Sequence, residues 1–165
     1  MELHTKHFGK IEINEENIIT FPDGIPGFEE EKEFTIIKNP DENLPFHWLQ
    51  AITEGDLAFV IMNPFIFRPD YDIKISKGVQ NKLNIKSQEQ VSIWTIVRVP
   101  EKVEDMTANL SAPIIINNEE KLGKQVALDN SPYGKRHEVI KELKESQEKE
   151  NNNPATPNET AEGGV

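Results

Sequence analysis

Four histidines and 29 carboxylate side chains are the groups in this 165-residue chain that could hold a metal or move a proton. Chelation needs several donors converging on one point. His4 and His7 stand three residues apart, and on a strand that spacing points them to opposite faces. His47 and His137 lie far along the chain. The run Glu29-Glu30-Glu31 lacks the alternating Asp/Asn and the Gly of a calcium loop, and reads as a solvated loop tip. No metal site is expected. The absence of cysteine excludes a thiol nucleophile, a disulfide framework and a Cys-based zinc site. Ser111 and Ser131 have no His and Asp partners that sequence can assign to a triad. No Gly-x-Gly-x-x-Gly or Gly-Lys-Ser/Thr occurs, so Gly24 and Gly27 do not belong to a phosphate loop. These residue types predict no catalytic group and no cofactor, but a shaped surface.

Three segments could supply that surface. In Phe21–Glu29, FPDGIPGFE, proline fixes φ and glycine permits positive φ, so Gly24, Ile25, Pro26, Gly27 and Phe28 form a rigid, multiply turned loop. In Asn63–Tyr71, NPFIFRPDY, the candidates are Phe65, Phe67, Asp70 and Tyr71. Two readings of these aromatics stand: they close one end of the core, or they form an exposed patch that docks an apolar helix. Near the C-terminus Val139, Ile140 and Leu143 lie on one helical stripe. That stripe either docks back on the body or grips a partner.

Charge narrows the partners. The net charge is -11, which disfavours direct nucleic-acid binding by phosphate repulsion. Residues 1–134 hold 13 basic and 22 acidic side chains, so most of the negative field belongs to the body of the chain. No apolar run approaches the roughly 18–20 residues of a membrane helix, and MELHTKHFGK has no apolar signal-peptide core. A cytoplasmic protein with no membrane contact is expected.

The elements that must position these segments are mostly strands. Short apolar runs recur every eight to twelve residues, separated by Pro, Gly and Asn. Strands are predicted over 3–6, 10–13, 18–21, 34–37, 46–52, 58–62, 71–75, 91–99, 112–116 and 125–128. A helix is predicted over 77–83, capped by Ser76, and a capping box over Ser87–Gln90. This predicts a mainly β fold: a single antiparallel β-barrel-like domain with short helices over 1–134, a C-terminal helix over 135–150 and a disordered tail over 151–165. A small-ligand-binding barrel is the competing reading, because barrel mouths form pockets.

The motifs together resemble one family. Thr5-Lys6, Phe8-Gly9, Ile11-Glu12-Ile13 and Ile19-Thr20-Phe21-Pro22 lead into Gly24-Ile25-Pro26-Gly27-Phe28-Glu29. Trp48-Leu49-Gln50, Leu57-Ala58-Phe59-Val60, Asn63-Pro64-Phe65 and Pro69-Asp70-Tyr71 follow. The last block is Thr107-Ala108-Asn109-Leu110-Ser111-Ala112-Pro113-Ile114, with Ile116-Asn117, Gly123, Gln125-Val126 and Tyr133. In this order, over residues 2–145, they resemble the flagellar assembly factor FliW family. The resemblance implies an antiparallel β-barrel that binds two proteins in the cytoplasm of motile bacteria. One is flagellin. The other is CsrA, a homodimeric RNA-binding regulator that represses translation of the flagellin message. Flagellin that accumulates unassembled would occupy the factor and free CsrA to repress; its secretion would reverse the exchange. On this reading the Gly24–Phe28 loop and the Phe65–Tyr71 segment are expected to receive flagellin. The helix carrying Val139, Ile140 and Leu143 is expected to lie on CsrA.

Overall fold

A computed structural model describes residues 1–152. The chain opens on a hairpin of β1 (Glu2–Thr5) and β2 (Gly9–Glu12), followed by β3 (Ile19–Thr20), β4 (Glu33–Ile37), β5 (Phe46–Ala51) and β6 (Ala58–Met62). Helix α1 (Lys77–Lys82) precedes β7 (Val91–Arg98), β8 (Thr107–Ala108), β9 (Ile114–Asn117), β10 (Leu122–Gln125) and β11 (His137–Glu138). Helix α2 (Val139–Asn152) comes last. Pairing runs β3–β4–β5–β6–β7–β9–β10 and returns to β3, so seven strands close a barrel. The seam departs from the antiparallel expectation. β10 meets β3 in parallel through one pair, Leu122 and Thr20, and the Thr20 N–H donates to the Lys121 carbonyl at 2.9 Å.

The barrel wall has a core on each side, because alternate residues of a strand point to opposite faces. The interior holds Phe21, Phe34, Leu49, Ile61, Ile114 and Ile116 with Trp94 and Ile96 packed against them. Outside the wall, Phe46, Met62, Ile93, Val97 and Ile115 pack under Phe67, Tyr71, Leu83 and Leu110. β7 feeds both cores, which is why its apolar residues fall on both faces of the strand. The side chains of this interior cluster are apolar.

Several boundaries differ from expectation for physical reasons. Residues 71–75 form no strand, although their burial alternates as predicted. No strand runs beside them; instead the Tyr71 hydroxyl donates to the Leu110 carbonyl at 2.7 Å and the Tyr133 hydroxyl accepts from the Asp72 N–H at 3.0 Å. α2 starts at Val139 rather than at residue 135, because His137 and Glu138 pair with Ala108 and Thr107 first. It runs to Asn152, two residues past the expected end. The disordered tail expected over 151–165 falls, from residue 153 onward, outside the described residues. β10 sits three residues earlier than predicted, with Gly123 inside the strand.

Asn117, wholly buried at the end of β9, joins the layers. Its amide donates to the carbonyls of Leu83 and Asn84 (2.8 and 3.2 Å), and its oxygen accepts the N–H groups of Glu119 and Glu120 (both 3.1 Å). Every hydrogen-bonding position of the side chain is thereby used. One side chain ties the α1 terminus to the β9–β10 turn. Replacing it with Ala leaves the buried Leu83 carbonyl without this donor, so Asn117→Ala should lower unfolding stability by about 1–3 kcal/mol. Chemical denaturation reads this directly; an unchanged midpoint would contradict the assignment.

Candidate functional site

The first candidate begins where the barrel closes. Phe21 is fully buried, and a Cβ at Gly123 would lie 2.7 Å from its ring, so only glycine fits beneath it. The chain then leaves the core through three linked turns. Gly24 donates to the Phe21 carbonyl (2.8 Å), Phe28 to Ile25 (2.7 Å) and Glu31 to Phe28 (3.1 Å). Gly24 has φ +66°, and a Cβ there would sit 2.6 Å from the Glu29 backbone. Ile25 is 1% exposed and anchors the loop, while Phe28 is 42% exposed. The Phe28 ring meets Phe59 edge-on at 5.3 Å, Phe59 lies 6.2 Å from Phe34, and Phe34 lies 5.2 Å from Phe21. A row of aromatic rings thus runs from the barrel interior to the displayed side chain. The Gly27 N–H donates to the Glu29 carboxylate at 3.0 Å and holds its pKa below the usual range. Asp23 fixes the other side of the loop: Lys82 of α1 and Lys124 of β10 reach its oxygens at 2.7 and 2.9 Å.

The second candidate lies over the outer core. After β6 the chain makes a short 3-10 turn, Pro64–Ile66, capped by Asn63. Phe67 and Tyr71 are buried and Phe65 is half-buried, while Ile66 is exposed. Burial pushes the Tyr71 phenol well above its ordinary pKa, so it remains a neutral donor. The aromatics therefore chiefly close the core, and the patch reading keeps only Ile66 and part of Phe65. Val139 is buried, and Ile140 and Leu143 pack against the same core, so the apolar stripe of α2 faces the body. A partner reaches α2 only by its other flanks. Arg68 joins the segments: its Nη1 donates to Glu142 at 2.8 Å, its Nε to Asp70 at 2.9 Å, and its guanidinium lies 5.5 Å from the Tyr133 ring centre. Glu142 also lies 2.8 Å from His137 Nδ1. Because His137 Nε2 accepts from the Gly134 N–H (2.8 Å), the neutral ring carries its proton on Nδ1 and donates it to Glu142. Between α2 and the Phe67–Asp70 loop runs a cleft of about 980 Å³.

The expected site residues thus fall into two groups. Gly24–Phe28 stand together; Phe67, Asp70 and α2 are walls of one cleft rather than two separate surfaces. Arg68, His137 and Glu142 were not anticipated. They bond across up to 74 positions of sequence, and no local spacing signals that. His4 lies on β1 and His7 in the β1–β2 turn rather than on one strand, and no group of three His, Cys, Asp or Glu able to hold a metal occurs among the described residues. His47 Nδ1 accepts from the Asn39 N–H at 3.0 Å; burial lowers its pKa and keeps it neutral. The 107–114 block proves structural: the Asn109 N–H donates to Ile96, and those of Leu110 and Ser111 both donate to the Gly134 carbonyl. No described helix is long and apolar enough to cross a membrane.

Comparison with known proteins decides the kinship. The model of a family described as FliW protein matches residues 2–139. This chain belongs to the FliW family. A flagellar assembly factor FliW of Alkaliphilus metalliredigens is 54% identical over 165 residues, 99% of each chain. Another, of Caldanaerobacter subterraneus subsp. tengcongensis, is 49% identical over 87% of this chain and 96% of its own. A crystal structure of the flagellar assembly factor FliW superposes with a TM-score of 0.79 at 38% identity, over 85% of this chain and 97% of that one. The similarity to the Alkaliphilus protein extends through α2, so both candidate surfaces of this FliW chain lie in the matched region.

The loop carries a pH signature. The two lysines hold the Asp23 pKa at about 2, below the usual 3.8. A depressed carboxylate pKa contributes stability above about pH 4, and loses it as pH falls through about 2. The carboxylate is 42% exposed, and solvent screening limits its contribution to about 0.5–1 kcal/mol. Asp23→Asn should therefore be less stable than wild type by that amount at neutral pH. The gap should close between about pH 4 and pH 2 in denaturation curves measured across pH.

Proposed function

We propose that this protein is a flagellar assembly factor that works by occupancy. It binds unassembled flagellin and, in alternation, the RNA-binding regulator CsrA in the cytoplasm, and binding to CsrA relieves repression of flagellin translation. The observation that carries the proposal is full-length similarity, at 54% identity, to a flagellar assembly factor. The architecture supports it: an apolar-filled barrel with a rigid displayed loop suits docking rather than turnover. Flagellin's terminal segments are expected to be helical and apolar before assembly, and to need an apolar acceptor. Ile66, exposed on the turn that adjoins the charge-lined Phe67–Asp70 cleft, supplies apolar surface there.

The acidic body gives the CsrA arm a physical basis. A strongly anionic protein docked beside an RNA-binding surface raises the cost of bringing phosphates there, even without covering the RNA contacts. Co-elution tests the exchange: CsrA should be captured from solution by this protein, and released when flagellin is added in excess. Capture of neither protein at micromolar concentration would reject the proposal. The electrostatic part has its own measurement. Raising salt between about 50 and 300 mM should weaken inhibition of CsrA–RNA binding more than it weakens flagellin binding, after correction for the salt slope of RNA alone. Inhibition that does not change with salt would leave the charge without a role.

A further inference from the structure

The two surfaces differ in charge, and the difference assigns their partners. The α2 cleft is balanced: Arg68, Arg136, Lys141 and Lys149 line it together with Asp70, Glu138, Glu142 and Glu145. Its carboxylates are largely neutralised in place, since Arg68 pairs with both Asp70 and Glu142, and Lys141 with Glu138. Beside Phe28 lies a hollow of about 470 Å³ bounded by Leu57 and by Glu29, Glu30, Glu31 and Glu54. No Lys or Arg lines it. Lys32, the nearest in sequence, donates to the Pro22 carbonyl at 3.3 Å; its charge is felt at Glu29 but forms no ion pair with it. Neutral donors orient three of these carboxylates: the Gly27 N–H on Glu29, the Thr53 hydroxyl on Glu31 and the Asp56 N–H on Glu54. None of the four forms an ion pair among the described residues, whereas Asp23, Asp70 and Glu142 all do.

An exposed aromatic on a pre-turned loop is the usual form of a binding anchor, because little entropy is lost in ordering it. Four carboxylates without an ion-pair partner surround that anchor and offer counter-charges to a cation placed among them. We infer that the hollow beside Phe28 receives a basic segment of an RNA-binding protein, with an apolar side chain seated on Phe28 and Leu57 and lysine or arginine side chains among Glu29, Glu30, Glu31 and Glu54. Of the two proposed partners the RNA-binding one is expected to be the basic one, so CsrA, and not flagellin, is the occupant, docked through basic residues outside its RNA contacts. The inference rests on the partner pair proposed above and reverses the sequence-based expectation for this loop. It leaves the α2 cleft to flagellin, and the two surfaces share no lining residue.

The test compares Phe28→Ala, and the pair Glu30→Lys with Glu54→Lys, against wild type, using purified CsrA and purified flagellin. Both variants should bind CsrA about tenfold or more weakly, and flagellin within about twofold of wild type. The retained flagellin binding reports an intact fold. The lysine pair should also flatten the salt dependence of the remaining CsrA affinity. Unchanged CsrA affinity in both variants overturns the assignment while leaving the partner switch standing. Equal loss of both partners, with thermal unfolding unchanged, overturns it in favour of one shared site. A wild-type dimer that Phe28→Ala makes monomeric reassigns the hollow to a second copy of this chain. Wild-type protein that binds flagellin but not CsrA removes the switch and this inference together.

Discussion

Closure of the barrel is constrained by one close approach, the distal edge of the Phe21 ring against the bare backbone of Gly123. The seam between β3 and β10 has a single register pair, too little hydrogen bonding to close a ring unaided. The buried phenyl ring supplies the missing contact, and any side chain at 123 would push β10 away from it. Function is coupled to this point by position. The displayed loop starts at the residue after Phe21, and Lys124, which holds Asp23, is the residue after Gly123. A distortion of the seam therefore moves the loop. The aromatic row through Phe34 and Phe59 carries the same constraint outward to Phe28. FPDGIPGFE is best understood as one device in which a core plug and a surface anchor are built from consecutive residues.

Much of this was legible from local pattern. β5, β6 and β7 were placed within a residue or two, because their apolar runs have strand length and clear turn boundaries. Ser76 caps α1 as its type and position suggest. What pattern could not supply was sidedness. With a core on each face of the wall, apolar positions no longer tell inside from outside. That is why Phe65, Phe67 and Tyr71 admitted two readings. The alternation over 71–75 was real, yet alternation records burial and not pairing, and hydroxyls stand where a neighbouring strand would be. The close approach at Gly123 was not legible either, since a glycine demanded by a neighbouring ring carries no local signal of it.

The polar staples were beyond sequence altogether. Asn117 joins segments 33 and 34 positions away, and Arg68 reaches Glu142 across 74. Their partners are selected by the fold, so the residue type is readable but the bond is not. Both staples hold elements that regular backbone pairing leaves loose. α2 has an apolar face only in its first turn or so, and Arg68, Glu142 and His137 compensate with charge-assisted bonds at the body end of the helix.

Electrostatic range then constrains how the two surfaces can act. The field of a net charge of -11 decays over about 8 Å at physiological salt, so the charge as a whole cannot repel RNA from a distance. It can do so only when docking brings the anionic wall within a Debye length of the phosphate path. A balanced cleft such as the one beneath α2 adds little field of its own, because its positive and negative groups sit a few ångströms apart and cancel beyond that distance. Unpaired carboxylates beside Phe28 do not cancel. Placing a basic partner there satisfies two requirements with one geometry: the carboxylates acquire the counter-charges they lack, and the remaining anionic surface is held where phosphates would have to approach. Binding and inhibition would thus draw on the same groups, and a partner seated on the balanced cleft would obtain the first without the second.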